Sequence, residues 1–457
     1  MIALLLGVAL AGEVRGWRHD GTNAWPGALT TLDATPAATT PLPAWSNGSP
    51  VVMGDLVCFT AEPTTLGCAS RTTGRVVWTA AHPVLDALPA DAAAALRAQL
   101  ADADRAEAAL AEVSRAYSAA RREARADGSA EAKVTALAAE LDRLHTAIEA
   151  VAWFRTPPDR EIIGYASATP VTDGARVYAL FGNGVLVART LDGKLAWIRW
   201  LGPHRTALRG YDVGTAASPQ WVAGRLIVPW EQLLGLDPAT GATLWEAGAW
   251  RDYGTPAVTT VGGVGVILTP DGRLLRARDG AALQSGLGDL WYVGPIARGQ
   301  DAWYVGAAGS AHAPTTQLAA TSLRLEPDGP DRVRATRGWR SPLPVSDPLY
   351  AAPVAAAGRL YTVTSAADLL VHDTASGALV HQLDLAPHVG DTVYASPVVV
   401  GTQLVVAGAN GRVALVHTQT FAVQPGPQTD ELRATPVWDG ARLWLRTSRG
   451  LHAVPGR

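Results

Sequence analysis

Cysteine, methionine and phenylalanine are scarce in this 457-residue sequence, numbering two, two and four, and no charge sign dominates, the formal net charge being −3. Each shortage closes off a class of protein. Two sulfurs cannot build a disulfide-rich framework or a multi-thiolate zinc site. A near-neutral balance offers no basic groove, so no nucleic-acid partner is expected, nor a general attraction to anionic membranes. The ten histidines are scattered singly, and none shows H-E-x-x-H or another ligand spacing. A Cys-x-x-Cys-His haem signature and a G-x-S-x-G nucleophile elbow are both missing. The run Gly262-Gly263-Val264-Gly265 lies between two expected strands with no Lys-Ser/Thr after it, so it reads as a turn and not a phosphate loop. No catalytic residue, cofactor or metal ligand is assigned on these grounds.

Long apolar runs are missing too. The one candidate, Ile2 to Ala11, is shorter than the roughly 20 residues a membrane helix needs. It fits the apolar stretch of a secretory signal, with Ala9-Leu10-Ala11 as a cleavage site, although no Lys or Arg follows Met1. The alternative is a buried first strand. Export to the periplasm or outer envelope is the favoured reading, with residues 1–11 as leader, no transmembrane segment and a monomeric chain.

What the sequence has in abundance is a repeat. Eight times a small residue precedes a proline and an apolar run, at Pro50, Pro170, Pro219, Pro256, Pro295, Pro353, Pro397 and Pro436. Successive prolines after the second are 49, 37, 39, 58, 44 and 39 residues apart, bracketing the roughly 40–45 of a four-stranded propeller blade. Within a unit, Asp-Gly and Asn-Gly pairs such as Asp173-Gly174 and Asn183-Gly184 separate short β-branched runs, which is a hairpin signal. An all-β, eight-bladed propeller of four-stranded antiparallel blades follows, with seven blades as the alternative. The last unit has only three strands, so its outer strand is expected from the N-terminal stretch, around Trp45 or Trp17.

The first proline interval, 120 residues, holds an insertion at 82–157 rich in Ala, Leu, Glu and Arg. Val134, Leu137, Leu141, Leu144, Ile148 and Val151 recur at alternating steps of three and four, a coiled-coil-like seam. Asp91 is the expected N-cap of a first helix. Asp127-Gly128-Ser129 stops it and restarts a second, with Ser129 as cap. The chain thus divides into 1–11, a closure strand and first blade at 12–81, the helical hairpin at 82–157, and the remaining blades at 158–457. The hairpin should sit on the propeller face that carries the blade-to-blade links, either covering it or serving as a docking arm. Long links on that face hold Arg205, Arg209, Tyr211 and Asp212, a possible face-binding loop.

Cys58 and Cys68 flank a hairpin centred on Pro63. Reflection about Pro63 pairs them across antiparallel strands, giving a structural disulfide in an exported protein, with two buried thiols as the alternative.

The turn Thr72-Thr73-Gly74-Arg75-Val76-Val77-Trp78, its copy Thr240-Gly241-Ala242-Thr243-Leu244-Trp245, and the worn Asp192-Gly193-Lys194-Leu195-Ala196-Trp197 resemble the quinoprotein-like, PQQ-repeat β-propellers. The stretch Gly16 to Asn23 looks like the N-terminal stretch of exported members. The resemblance implies that Trp78, Trp197 and Trp245 dock between neighbouring blades. It also marks departures: Gln284 and His381 stand in the tryptophan place, and Phe421 lies in a unit without the turn glycine. Members either bind pyrroloquinoline quinone and calcium and oxidise alcohols or sugars, or act as scaffolds, as in the propeller subunit of the outer-membrane β-barrel assembly machinery. The alcohol dehydrogenases carry a disulfide between adjacent cysteines, which this chain lacks. The expectation is a non-catalytic envelope scaffold that binds a protein partner through one face and the hairpin, with no cofactor. A quinone- and calcium-dependent dehydrogenase and a small-ligand or glycan binder are the alternatives.

Overall fold

The computed structural model describes residues 13–155, 163–204, 215–250, 253–307, 309–310, 313–314 and 317–457. The expected leader at 1–11, Pro157-Pro158, and the loop residues Arg205, Arg209, Tyr211 and Asp212 lie outside these residues.

Eight four-stranded antiparallel sheets follow one another along the chain. Blade 1 comprises Val51–Met53, Leu56–Ala61, Thr65–Ser70 and Val76–Ala81, and blade 2 starts at Val171–Thr172 after the insertion. The inner strands of blades 3 to 8 are Gln220–Val222, Ala257–Val261, Ile296–Arg298, Val354–Ala356, Val398–Val400 and Val437–Trp438. Middle strands are largely apolar after their first residue and buried on both faces because a neighbouring blade covers each side, as in Arg225–Pro229 and Gln403–Ala407. Outer strands alternate between exposed and half-buried, as in Val76–Ala81.

Turn chemistry sets the hairpins. The Asp237 carboxylate accepts the N–H groups of Ala239 and Thr240 at 2.7 and 3.1 Å, and Gly241 takes φ +72° to close the turn. The same arrangement recurs at Asp373 and Gly377.

The ring closes with Ala38–Pro41, which pairs antiparallel with Gly450–Pro455 as the outer strand of blade 8. Neither expected candidate is the closure strand: it lies between Trp17 and Trp45. It carries Thr39 and Thr40, whose branched side chains suit a strand, and Thr40 is buried against blade 1. The N-terminal stretch is used a second time, because Ala24–Trp25 adds a parallel fifth strand to the inner edge of blade 7.

The repeated small residue before proline has a specific job. The N–H of Ser49 donates to the Thr169 hydroxyl, Thr169 to Ser218 and Ser218 to Thr255, each at 3.0 Å. Across the ring Ala352 donates to Ser396 and Ser396 to Thr435, at 3.0 and 3.1 Å, and the Ser49 hydroxyl reaches Thr435 O at 2.9 Å. Proline has no N–H, so the residue before it supplies the donor, and its own side chain supplies the acceptor for the previous blade. This belt of hydroxyls around the channel lapses on both sides of blade 5, where Gly294 and Ala352 carry none. Gly294 has no room for one, since a Cβ there would meet Thr255 O at 1.8 Å.

A second fastening runs along the outer strands. The indole N–H groups of Trp78, Trp197 and Trp245 donate to Leu191 O, Pro238 O and Ala277 O of the next blade at 3.0, 2.9 and 3.1 Å. Their rings cover Gly193, Gly241 and Gly280, where a Cβ would collide with the indole. Trp339 does the same from blade 5, donating to Thr374 O at 2.8 Å over Gly377. The repeat motif did not reveal it, because blade 5 has strands of nine and ten residues and its tryptophan lies far from the turn. In blade 4, Gln284 replaces the indole with a two-way amide contact, donating to Ala335 O and accepting Ala335 N–H, both at 2.9 Å.

The insertion forms helices α1, Ala90–Asp127, and α2, Glu131–Glu149, packed together as a hairpin. Gly128 ends α1 at φ +73°. The N-caps differ from expectation. Pro89 precedes α1, leaving Asp91 in the first turn to meet the helix dipole, and Ala130, not Ser129, precedes α2. Ala93, Leu96 and Ala103 are buried, and Leu96 and Ala103 share a core cluster with Val84 and Val151 of the insertion and with Leu66, Val185 and Val187 of blades 1 and 2. The hairpin is thus anchored on the propeller at one end. Its base docks on the propeller, and the remaining 24 residues of α1, Asp104–Asp127, extend about 36 Å beyond.

Candidate functional site at the channel mouth

The links between blades converge on the channel mouth. Three residues before the conserved-phrase proline stand Tyr253, Tyr292, Tyr350, Tyr394 and Arg433 in blades 4 to 8, and Asn47, Ser167 and Ala216 in blades 1 to 3. All eight line one cup of about 150 Å³, with the hydroxyl belt as its wall. Because all occupy the same place in the repeat, the fold brings them into one rim. The sequence held this signal as Tyr-x-x-Pro in four successive units, and reading the proline phrase only forwards missed it.

The four tyrosines form a continuous arc. Tyr253 stacks on Tyr292, Tyr292 meets Tyr350 edge-on, and Tyr350 meets Tyr394 at a tilt, each pair 5.5 Å apart between centroids. Tyr394 is 37% exposed, and the Arg433 guanidinium lies 5.4 Å from its centroid. Arg433 also pairs with Glu431 at 2.6 Å. Burial, then the neighbouring Tyr292 and Tyr394 phenols, raises the Tyr350 pKa.

The base of the cup comes from the N-terminal segment. Val14 bridges to Val52 of blade 1, Arg15 O accepts Thr172 N–H of blade 2, and the Asn23 amide donates to Pro397 O of blade 7 at 2.7 Å. Between these anchors Trp17 reaches the cup lining. Arg18 is buried and donates to Thr22 O and Pro353 O. Its burial lowers the guanidinium pKa to about 9 against the opposing pull of Asp20. The insertion shares this face: Ile163 and Ser167, on its return path, line the cup.

Cys58 and Cys68 are disulfide-bonded across paired strands of blade 1, with Cα atoms 3.9 Å apart. They are buried away from the cup, beneath the base of α1. Of the expected face-binding loop, only the flanks are described, and Ala216 reaches the cup.

The donor set can be compared with a calcium–quinone site. Calcium takes oxygen ligands in which carboxylates are prominent, and no Asp or Glu lines the cup among the described residues. No group of three or more His, Cys, Asp or Glu side chains is placed to hold a metal among the described residues. Among the described residues the one charged lining group is Arg433, already paired with Glu431. These residues do not fit that pair of cofactors.

The model of the family described as "Outer membrane protein assembly factor BamB" matches residues 104–262, about a third of the chain. No curated protein sequence matches significantly. Among solved structures, BamB from Moraxella catarrhalis aligns over 93% of this chain and 100% of its own, at 12% identity and TM-score 0.56. A europium-containing methanol dehydrogenase aligns over 97% and 91%, at 10% identity and TM-score 0.55. The quinohemoprotein alcohol dehydrogenase from Comamonas testosteroni aligns over 98% and 81%, at 10% identity and TM-score 0.56. At these identities the structural likeness speaks to fold alone. The chain is a β-propeller similar in fold to BamB over nearly its whole length, and the model of that assembly-factor family matches it over residues 104–262.

Proposed function

We propose that the protein is a non-catalytic scaffold of the cell envelope that binds a protein partner on the face bearing the tyrosine rim and the helical hairpin. The carrying observation is the composition of that face. Tyr, Trp and Arg, the side chains that dominate binding energy at protein interfaces, surround a cup with no carboxylate among its described lining. Beside them a docked helical base supports an arm that reaches into solvent, a shape suited to gripping a second protein. The Cys58–Cys68 bridge supports an oxidising compartment, and the family-model match to an assembly factor supports a protein partner.

The test is capture from native envelope with two forms of the chain. One is intact; the other has residues 112–144 replaced by a short Gly-Ser turn, leaving the docked base in place. Loss of a stoichiometric partner with the shortened arm is the expected result. Dye-linked alcohol or sugar turnover after reconstitution with pyrroloquinoline quinone and calcium would overturn the reading, as would identical capture by both forms.

A further inference from the structure

We propose that the channel cup binds a single pyranose ring of a glycan. Size limits the ligand to a single ring: the cup holds about 150 Å³, room for about a benzene-sized body, so one edge of a pyranose would enter while its remaining substituents stay at the open mouth. The wall then selects among rings. Thr169, Ser218, Thr255, Ser396 and Thr435 each accept a backbone N–H from the preceding blade. Each hydroxyl then keeps its proton to donate and one lone pair with which to accept. Five such hydroxyls make the wall rich in donors. An apolar ring would strand them, whereas a ring bearing several oxygens satisfies them.

The rim supplies the complementary half. A pyranose carries hydroxyls around its edge and C–H groups on its faces. Tyr253, Tyr292, Tyr350 and Tyr394 offer aromatic surface on one side of the mouth, and Trp17 offers it at the base. Apolar lining with a few convergent polar groups is the usual composition of a small-molecule site. An extended peptide fits less well. A cup of about 150 Å³ lacks the length to seat its successive residues, which rise about 3.3 Å each. With no carboxylate in the described lining, neutral and acidic sugars are both admitted, and the experiment separates them. The rim belongs to the proposed partner-binding face as well, so sugar and partner would share it, and the arm-shortened chain, expected to lose the partner and keep the sugar, tells failure of one proposal from failure of the other.

The experiment is isothermal calorimetry and saturation-transfer NMR on the intact chain with methyl glucopyranoside, N-acetylglucosamine and glucuronate, and with inositol as a polyol that is not a pyranose. At least one pyranose is expected to bind on the order of millimolar and better than inositol, and the better of glucoside and glucuronate identifies the neutral or acidic source. Tyr292→Ala and Tyr394→Ala should each weaken it roughly tenfold, the worth of one aromatic contact, while Tyr292→Phe keeps the affinity. Melting curves establish that each variant is folded, and Tyr394, at the exposed end of the arc, is the substitution least able to disturb the ring. The arm-shortened chain should bind sugar as the intact chain does. Absence of pyranose binding to the intact chain, preference for inositol, or unchanged affinity in both folded alanine variants overturns the proposal.

Discussion

His381 of blade 6 stacks face to face on Phe421 of blade 7, with ring centroids 3.8 Å apart and planes 9° from parallel. Phe421 stands where the other turns place glycine. It takes φ +58°, and its N–H donates to His417 O at 2.8 Å, as the Gly377 N–H does to Asp373 O at 2.9 Å. His417 Nδ1 accepts the N–H groups of Gln419 and Thr420 at 3.2 Å, the part an aspartate plays elsewhere. The tryptophan-on-glycine contact has been replaced on both sides at once. A smaller ring on the donor blade meets a ring on the acceptor turn.

The replacement predicts strong coupling. A left-handed phenylalanine costs roughly 1–2 kcal/mol in backbone conformation, and the stack returns roughly 0.5–1.5 kcal/mol beyond area burial. His381→Ala should therefore lower the melting temperature, whereas Phe421→Gly should change it little. His381→Trp with Phe421→Gly should rebuild the common junction and melt higher than His381→Trp alone. Additive shifts in this cycle would show that the two rings do not compensate each other.

The hydroxyl belt predicts opposite signs at two points of the ring. Ser218→Ala removes the acceptor of the buried Thr169 N–H and should cost about 1–3 kcal/mol. Ala352→Ser offers blade 5 a hydroxyl that it lacks and should raise stability by up to about 1 kcal/mol. Gly294→Ser cannot work the same way, because its Cβ would run into Thr255 O. Denaturant unfolding of the three variants checks the order; a stabilised Gly294→Ser would contradict the belt geometry.

These two fastenings mark what was legible in the sequence. Blade number and strand order came from proline spacing and Asp-Gly turns, since both express backbone requirements that only a few residues meet. Trp78, Trp197 and Trp245 were legible because turn glycine and indole sit a fixed distance apart on one hairpin. Trp339 was not, because the long strands of blade 5 move the indole away from the turn. The closure strand Ala38–Pro41 was not either: its partner is the other end of the chain, and four residues carry little periodicity. The tyrosine rim was written in plain Tyr-x-x-Pro spacing. Its meaning needed the ring, which alone sets residues up to 141 positions apart, Tyr253 to Tyr394, around one opening.

The Cys58–Cys68 bridge predicts a measurable loss on reduction. It closes a loop of sequence separation 10, worth about 2–3 kcal/mol by the chain-entropy account. Both sulfurs are buried beneath the base of α1, so Cys58→Ala with Cys68→Ala should lower the melting temperature and raise proteolysis at the arm base first. Thiol titration of denatured, unreduced protein should find no reactive thiol. Two thiols in protein isolated from its own compartment would count against the bridge and against export.

His82 predicts an acid-sensitive junction where the hairpin leaves blade 1. It is buried, its Nδ1 lies 3.1 Å from Thr64 O, and its Nε2 accepts the Arg189 Nε–H of blade 2 at 2.8 Å. That geometry requires a neutral ring with its proton on Nδ1, since an imidazolium has no lone pair for the guanidinium. Burial is the main cause of a pKa lowered to about 4; the nearby Arg189 charge lowers it further, while the Thr64 contact and Asp86 oppose it. The unfolded ring titrates near 6.5. Above that pH neither state binds the proton and His82 adds no pH dependence. Between about 6.5 and 4 the unfolded chain takes up the proton that the folded chain refuses, so stability falls with pH, by a few kcal/mol at most once pH is below 4. Burial lowers the pKa of His372 as well, in the same direction, so the wild-type curve alone does not isolate His82. His82→Gln keeps an acceptor for Arg189 without a titrating proton. Its melting temperature should fall less between pH 7.5 and 4.5 than the wild type's, and parallel curves for the two proteins would remove His82 as the source.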